Sequence, residues 1–252
     1  MTDSALFIVE GSKAEPKFLR KLYGCYVGND AEIVSYGTNV HVLIDSLFDG
    51  DELDEDLDIM NIIRELDPDS DVPNRKFTDK YLVFDMDPHD SKFNPSRLRK
   101  MMMFFDDSAD NGKLFVNYPM LESYRHLKCE WDPEYNGRMF RLEDMWDYKG
   151  AVNRESYPSI KQLNKHDRKL FDMLIHMNLE KAGNITRGHP IDSKEDYFGT
   201  GATEIYDAVM QELEVRKRIP VLNTSLFIPV DYNPDLIFGI ERSHRGFRLS
   251  SI

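Results

Sequence analysis

Two aspartates at the end of an apolar run have the types and the spacing that could bind a metal ion. The run Tyr81–Phe84 is followed by Asp85, Met86 and Asp87, and its short length and apolar character predict a buried strand. Side chains alternate along a strand, so residues two apart point to the same side. Two carboxylates at the C-terminal end of a strand, where open α/β sheets bind ligands, suit Mg²⁺ or Mn²⁺. The alternative is that both acids are solvated turn residues.

A second apolar run, near the N-terminus, also ends in an acid, Glu10. The run at residues 5–9 predicts another strand, and Gly11 after it would let the backbone turn tightly. A helix is predicted to begin at Glu15-Pro16, because proline is tolerated in the first helical turn. Two parallel strands that both end in acids would bring the Glu10 carboxylate and the two aspartates together at one edge of the sheet.

Three motifs in this order resemble those of the Toprim domain, which occurs in topoisomerases, primases and OLD-type nucleases. The resemblance is closer to RloB-like proteins, small Toprim-type proteins linked with bacterial defence loci. Residues 10–19 read Glu-Gly-Ser-Lys-Ala-Glu-Pro-Lys-Phe-Leu, against a family signature of Glu-Gly-x-Lys-Thr-Glu-Pro-x-Tyr-Phe. Residues 83–87 match the family's Val-Phe-Asp-x-Asp, and residues 117–124 are similar to its Asn-Pro-x-x-Glu-x-Trp element. The departures are Ala14 for threonine, Tyr118 inserted before the proline and Tyr124 for tryptophan.

This resemblance covers roughly the first half of the chain and implies a fold, a metal site and an activity. The implied fold is a Toprim-like three-layer α/β sandwich with a mainly parallel central sheet, here with a C-terminal, mostly helical extension. In the family the first-motif glutamate and the paired aspartates form the metal site. The resemblance therefore implies that Glu10, Asp85 and Asp87 are the catalytic residues and the ligands of Mg²⁺ or Mn²⁺. Glu10 is alternatively the general acid or base, as is inferred for some Toprim enzymes.

A further set of residues lies within or beside these motifs, namely Gly11, Lys13, Glu15, His89 and Glu122. Lys13 could contact a phosphate, although an exposed loop lysine is the alternative. Glu15 could act in the site or could only stabilise the N-terminus of its helix. His89 lies just beyond the strand that ends in the aspartates and could join them. Glu122 could be a ligand or could pair on the surface with a basic residue three or four positions later.

Composition restricts the class of protein and of partner. Of the 252 residues, 41% are hydrophobic, and no apolar run approaches the roughly 20 residues of a membrane span. No signal peptide is visible, and Cys25 and Cys129 make neither a disulfide framework nor a zinc motif, so we expect a cytoplasmic protein. The net charge of −13 opposes a broad, non-specific grip on nucleic acid. Twelve acids between Asp45 and Asp71 predict an exposed acidic edge.

The order of predicted elements favours one α/β unit followed by a less regular region. Predicted strands alternate with helices, as in a mainly parallel sheet. These strands lie at 5–10, 31–36, 80–85 and 113–117. We therefore expect a Toprim-like domain at 1–128, and an insertion with a C-terminal extension at 129–252 that packs on it and is not independent.

Predictions for the remaining elements depend mainly on turn residues. Helices are predicted at 95–110, from Pro119, at 165–182 and at 203–218, and strands at 221–222 and 226–230. Gly183 is predicted to end the third of these helices, and residues 186–201 are predicted to form a polar loop. A basic tail at 242–248 could contact phosphate.

Three hypotheses about function remain open. The first is a metal-dependent nuclease that acts on DNA or RNA, plausibly in defence against phage. The second is a non-catalytic Toprim-like subunit that senses a phosphate-bearing ligand or works with a partner ATPase or another defence protein. The third, ranked last because no zinc-binding element is visible, is nucleotidyl transfer as in primases. In each case the chain could form an oligomer, and no membrane partner is expected.

Overall fold

The computed structural model describes residues 5–35, 37, 39–50, 52–53 and 58–239. Tyr36 at the end of a predicted strand, part of the acidic segment and the basic tail at 242–248 lie outside these ranges. Within them, no helix is both long enough and apolar enough to cross a membrane. Cys25 and Cys129 are free thiols.

Short apolar runs form the strands, as the sequence predicted. The described strands are β1 Ala5–Val9, β2 Ala31–Ser35, β3 Phe48–Asp49, β4 Glu52–Leu53, β5 Asp79–Asp85, β6 Asp106–Asp107, β7 Gly112–Asn117, β8 Met139–Arg141 and β9 Arg218–Pro220. A central sheet has the order β2-β1-β5-β7-β6, in which β6 alone runs antiparallel to its neighbour. All five residues of β1 are buried, as expected for a strand with neighbours on both sides and helices on its faces.

Helices follow most of these strands, and polar side chains cap several of them. The described α-helices are α1 Ala14–Tyr26, α2 Val40–Leu47, α3 Ile59–Leu66, α4 Pro95–Phe104, α5 Tyr148–Glu155, α6 Arg168–Arg187, α7 Lys194–Phe198, α8 Ala202–Arg216, α9 Ile228–Tyr232 and α10 Asp235–Phe238. The side chains of Asn39, Asp58 and Asn94 accept hydrogen bonds from the first turns of α2, α3 and α4. The expected α/β class and mainly parallel sheet are thus confirmed, in an arrangement compatible with three layers.

The chain after residue 128 is mostly helical, as expected, and packs against the sheet. Tyr118, at the end of β7, exchanges two backbone hydrogen bonds of 2.8 Å with Leu222. The Thr224 hydroxyl donates to the backbone oxygen of Val116 in β7 at 2.7 Å. The division of the chain near residue 128 stays a prediction.

The predicted helix at 95–110 is too long. α4 ends at Phe104, and Asp106 and Asp107 then pair with Lys113 and Gly112 as a short antiparallel edge strand. Asn111, directly before Gly112, therefore lies in the turn of a hairpin between β6 and β7. A second short hairpin, β3 with β4, lies in the acidic segment and was also missed; its Asp49 and Glu52 are exposed, as predicted for that segment.

The predictions for the C-terminal region contain the larger errors. α6 runs through Gly183 and ends instead before Gly188, which has the left-handed φ of 76° that suits glycine. α7 occupies part of the predicted polar loop at 186–201. The predicted strand at 226–230 is helical, because the Asn223 side chain caps a 3₁₀ helix that leads into α9. Near Pro119 only a 3₁₀ helix forms, at Leu121–Arg125.

Candidate metal centre

Strands β1 and β5 place two of the predicted ligands at the same edge of the sheet. The strands are parallel neighbours, with Val9 opposite Val83, so Glu10 directly after β1 lies level with the end of β5 at Asp85. Asp85 is in turn opposite Asn117 of β7. The expectation that the two strands followed by acids are parallel, with their C-terminal ends at one edge of the sheet, is confirmed for β1 and β5.

Glu10 is a half-buried carboxylate with an altered acidity. Its pKa rises from 4.5 to about 7, chiefly because burial disfavours the charged form and also because Glu15 and Asp87 repel it. A hydrogen bond from the Asp85 backbone N–H and the charge of Lys149 partly offset this rise. Its Oε2 atom is buried and has no hydrogen-bond partner, so one acceptor of this carboxylate lacks a protein donor.

Asp85 is held at the end of β5 by neighbouring elements. Its Oδ1 accepts a hydrogen bond of 2.7 Å from the Leu121 backbone N–H, and the Asn117 amide lies 3.5 Å away. Burial raises the pKa of Asp85 well above its usual value, and repulsion by Glu10, Glu122 and Glu15 adds to this effect. A cation would relieve both the burial penalty and the repulsion.

Asp87 lies beside the site, but not for the reason that the sequence suggested. β5 ends at Asp85, and Asp87 has a left-handed φ of 39°, so it is no longer part of the strand and strand periodicity does not orient it. It is half-buried and its charge raises the pKa of Glu10. His41 of α2 fixes this turn, because its Nε2 lies 2.8 Å from the Met86 oxygen and 3.2 Å from the Asp87 oxygen.

Glu15 and Gly11 contribute together. Glu15 lies in the first turn of α1, and its carboxylate repels both Glu10 and Asp85. A Cβ atom on Gly11 would lie 2.5 Å from Glu15 Oε2. Gly11 does not have a left-handed φ, so the tight turn that the sequence suggested does not explain this glycine. Its missing side chain instead leaves room for the Glu15 carboxylate.

Glu122, in the 3₁₀ helix at Leu121–Arg125, joins these acids from a third element. Its Oε1 lies 3.8 Å from the Lys149 Nζ atom, and its Oε2 is buried without a hydrogen-bond partner. The predicted surface pair with a nearby basic residue is wrong for His126, which pairs with Glu155 at 3.0 Å. Glu10, Glu15, Asp85, Asp87 and Glu122 are called the acid cluster below.

Two predicted site residues lie at the border of the acid cluster. His89 is exposed, and its Nε2 lies 2.8 Å from the Leu142 backbone oxygen, to which it donates. Lys13 is exposed at the N-cap of α1. Both side chains are exposed, so both positions allow contact with a bound molecule.

Comparisons with known proteins gave no match from which a role for these residues could be taken. No protein-family model, no curated protein and no solved structure matches the chain.

The residues present suit a hard divalent cation, although they do not enclose one as they stand. Among the residues that the structure describes, no group of three or more His, Cys, Asp or Glu side chains is arranged to hold a metal ion. Two buried carboxylate oxygens without partners, Glu10 Oε2 and Glu122 Oε2, are nevertheless the atom type that Mg²⁺ and Mn²⁺ prefer. Buried acceptors without donors are costly, and a cation would satisfy them.

Sequence reasoning missed the residues that support the acids. His41, Asn117 and Lys149 come from three different elements, and each lies at least 30 positions along the chain from one acid that it contacts or influences. His41 and Lys149 lie outside the three motifs, whereas Asn117 is the first residue of the third one. The one available signal was the asparagine at the end of the fourth apolar run, because a polar residue there occupies the same sheet edge as the acids.

Proposed function

We propose that this chain is a metal-dependent nuclease of the Toprim type, which hydrolyses phosphodiester bonds in DNA or RNA. The observation that carries the proposal is the acid cluster. Glu10 and Asp85 lie at the ends of neighbouring parallel strands, two carboxylate oxygens of the cluster are buried without donors, and burial raises the pKa of Glu10 and Asp85. Clustered carboxylates with such altered acidity are typical of sites that bind cations or perform acid–base chemistry.

Each residue has a separate task in this proposal. Glu10, Asp85 and Asp87 are the proposed metal ligands, and Glu122, which has a buried oxygen without a partner and repels Asp85, is a further proposed ligand. The bound Mg²⁺ or Mn²⁺ would polarise the phosphate and activate a water molecule. The Leu121 N–H holds Asp85 Oδ1 in place. Glu10 is alternatively the general acid or base rather than a ligand, and its pKa of about 7 in the metal-free protein suits proton transfer near neutral pH.

The test is cleavage of labelled single-stranded and duplex DNA and RNA, with Mg²⁺ or Mn²⁺ and with EDTA. We expect cleavage that requires metal and that is abolished by Glu10→Gln and by Asp85→Asn, because each change keeps the shape and removes one negative ligand. Glu214→Gln, an exposed acid on α8, is the matched control and should retain activity.

Thermal melts of the same variants separate loss of function from loss of fold. Both substitutions should leave the melting temperature of the metal-free protein unchanged or raised, because they reduce repulsion within the acid cluster. Cleavage that survives in Glu10→Gln and Asp85→Asn would refute the assignment. Metal binding without cleavage of any substrate would instead favour the non-catalytic subunit, which binds a phosphate-bearing ligand while a partner performs the chemistry.

A further inference from the structure

Trp146 is a large aromatic side chain on a fixed part of the surface. Its side chain is 83% exposed, whereas Met145 before it is 4% exposed and Tyr148 after it is fully buried. The Tyr148 ring packs edge-on against Phe140 and His126, with centroid distances of 4.8 and 5.4 Å. The backbone that carries Trp146 is therefore held firmly while the indole ring faces solvent.

The segment that carries Trp146 borders the acid cluster at both of its ends. At one end the Leu142 oxygen accepts a hydrogen bond of 2.8 Å from His89, two residues beyond Asp87. At the other end the Lys149 Nζ atom lies 3.8 Å from Glu122 Oε1. Trp146 lies between these two contacts, in the 3₁₀ helix Leu142–Asp147. Trp146 is thus part of a segment that borders the proposed metal site.

Trp146 and Lys149 are three residues apart in consecutive helical turns. Trp146 lies in the 3₁₀ helix that ends at Asp147, and Lys149 lies in the first turn of α5, so adjoining helices carry the two side chains. Lys149 is 64% exposed, and its charge lowers the pKa of both Glu10 and Asp85, so it faces the acid cluster. Its ammonium group has three donors, and its one ion pair among residues 5–35, 37, 39–50, 52–53 and 58–239 is the long contact to Glu122, so donors are left for an anion.

A single exposed apolar residue is common on protein surfaces and has no meaning alone. The combination is more informative. An exposed aromatic side chain, Trp146, and a cation, Lys149, lie on one segment that borders a cluster of carboxylates. Proteins that bind single-stranded nucleic acid combine aromatic faces, on which bases stack, with cations that contact the backbone. In a duplex the two faces of each base are covered by its neighbours and are not free to stack on a side chain.

We propose that Trp146 stacks on an unpaired base of a single-stranded nucleic acid and that Lys149 contacts a phosphate of the same strand. The inference rests on the proposed nuclease function and names its substrate class, which is single-stranded DNA or RNA, or an unpaired segment of either. The strand then runs from the indole ring across Lys149 to the acid cluster.

The chain has two tryptophans, so each can be observed alone. Trp131→Phe leaves Trp146 as the fluorescent reporter, and Trp146→Phe leaves Trp131, which is 60% exposed on a different loop. Each variant is titrated with oligo(dT), oligo(U) and a blunt duplex in Ca²⁺, with a check that the strands stay intact. We expect single strands to quench Trp146 and not Trp131, and the two homopolymers show whether DNA or RNA is preferred.

Affinity is measured in parallel by the anisotropy of labelled strands. Trp146→Ala should raise the Kd for single strands about fivefold to 150-fold, the range measured for loss of one base-stacking aromatic, and should leave the Kd for the duplex unchanged. Trp131→Ala is the matched control and should bind as the wild type does. Trp146→Phe should retain most of the affinity because it retains a ring.

The outcomes separate this proposal from the nuclease function. Unchanged Trp146 fluorescence while strands bind, an unchanged Kd in Trp146→Ala, or equal effects on duplex and single strands would each overturn the stacking role, even if cleavage by the acid cluster stands. Failure of any single strand to bind would overturn it as well. Quenching and lost affinity without cleavage would support the stacking role and remove the nuclease function.

Discussion

Burial of Glu10, together with repulsion from Glu15 and Asp87, should lower the stability of the metal-free fold at neutral pH. Its pKa of about 7 means that the folded chain binds a proton more tightly than the unfolded chain, in which the value is near 4.5. The stability that Glu10 contributes is therefore fully present below about pH 4.5 and is lost as pH rises through about 7. Asp85, whose pKa is also raised, acts with the same sign.

The first prediction concerns this pH dependence. In EDTA, the free energy of unfolding should fall by roughly 1–3 kcal/mol more in the wild type than in Glu10→Gln as pH rises from 4.5 to 7.5. Urea unfolding at a series of pH values measures the difference. Millimolar Mn²⁺ should restore stability above pH 7, because the ionised carboxylates are then available as ligands. Identical pH profiles for the two proteins would contradict the altered acidity of Glu10, and Glu214→Gln should follow the wild type.

The second prediction concerns His41, which supports Asp87 through the backbone. His41 is 1% exposed, and its Nε2 lies within hydrogen-bond distance of the Met86 and Asp87 oxygens. His41→Leu should weaken Mn²⁺ binding about tenfold or more, the cost typical of losing a group that orients metal ligands. His41→Gln should rescue binding, because the glutamine amide can place a donor near the position of Nε2. Calorimetric titration with Mn²⁺ measures both.

His166 provides a matched control for His41. It is also fully buried, its Nε2 lies 2.9 Å from the Ile160 oxygen, and the Nδ1 atoms of both histidines lack partners. His166→Leu should lower the melting temperature by a similar amount and leave Mn²⁺ affinity unchanged. If both leucine variants bind Mn²⁺ equally well, His41 has a purely structural role.

Local apolar runs allowed the strands of the sheet to be predicted from the sequence. The residues that support the acids could not be predicted, because they depend on contacts between distant parts of the chain. The runs at β1, β5 and β7 are buried almost throughout, so composition alone marked them as strands. The acids that end β1 and β5 follow directly from that assignment. His41 and Lys149 could not be predicted, because only the folded chain brings α2 and α5 beside these strands.

The apolar segment at 226–230 illustrates why the C-terminal region was harder to predict. Its residues Leu226, Phe227, Ile228 and Val230 are all buried, so burial on every side removed the periodicity that distinguishes a helix from a strand. The Asn223 side chain, which accepts a hydrogen bond from the Leu226 N–H, starts the helix. Such a cap was present in the sequence and was a better guide than the apolar run.

The third prediction tests why α6 contains Gly183. A Cβ atom there would lie 2.3 Å from the His189 oxygen and 2.6 Å from the Ile191 nitrogen, both backbone atoms of the segment after the helix. Gly183→Ala should therefore destabilise the fold by roughly 1–3 kcal/mol through overpacking. Helix propensity alone would give the opposite sign, a gain of about 1 kcal/mol. Gly137→Ala, where the nearest atom is 3.9 Å away, is the control for urea unfolding and should change little.

In the whole molecule, residues of the C-terminal half support the proposed metal site. The Asn223 amide donates to the Leu121 oxygen at 2.9 Å, and the Leu121 N–H donates to Asp85. The Ser225 N–H donates to the Asn117 side chain, which lies beside Asp85. Residues far beyond the last motif thus hold the groups that orient a proposed ligand.

The fourth prediction follows from these contacts and tests the expected domain division. A 1–128 fragment contains the sheet and every acid of the cluster, but it lacks the partners of Tyr118 and Val116 and exposes the apolar side of β7. We expect no cooperative thermal transition and no stabilisation by Mn²⁺, because the buried apolar surface lost is not replaced. A fragment that melts cooperatively and gains stability from Mn²⁺ would show instead that the first 128 residues form an independent domain, and that the C-terminal half is not required for the site.

The same contacts predict the effect of a single substitution in the full chain. Asn223→Ala should weaken Mn²⁺ binding, because it removes the support of the Leu121 turn. It should also cost roughly 1–3 kcal/mol of stability through the buried groups left unpaired.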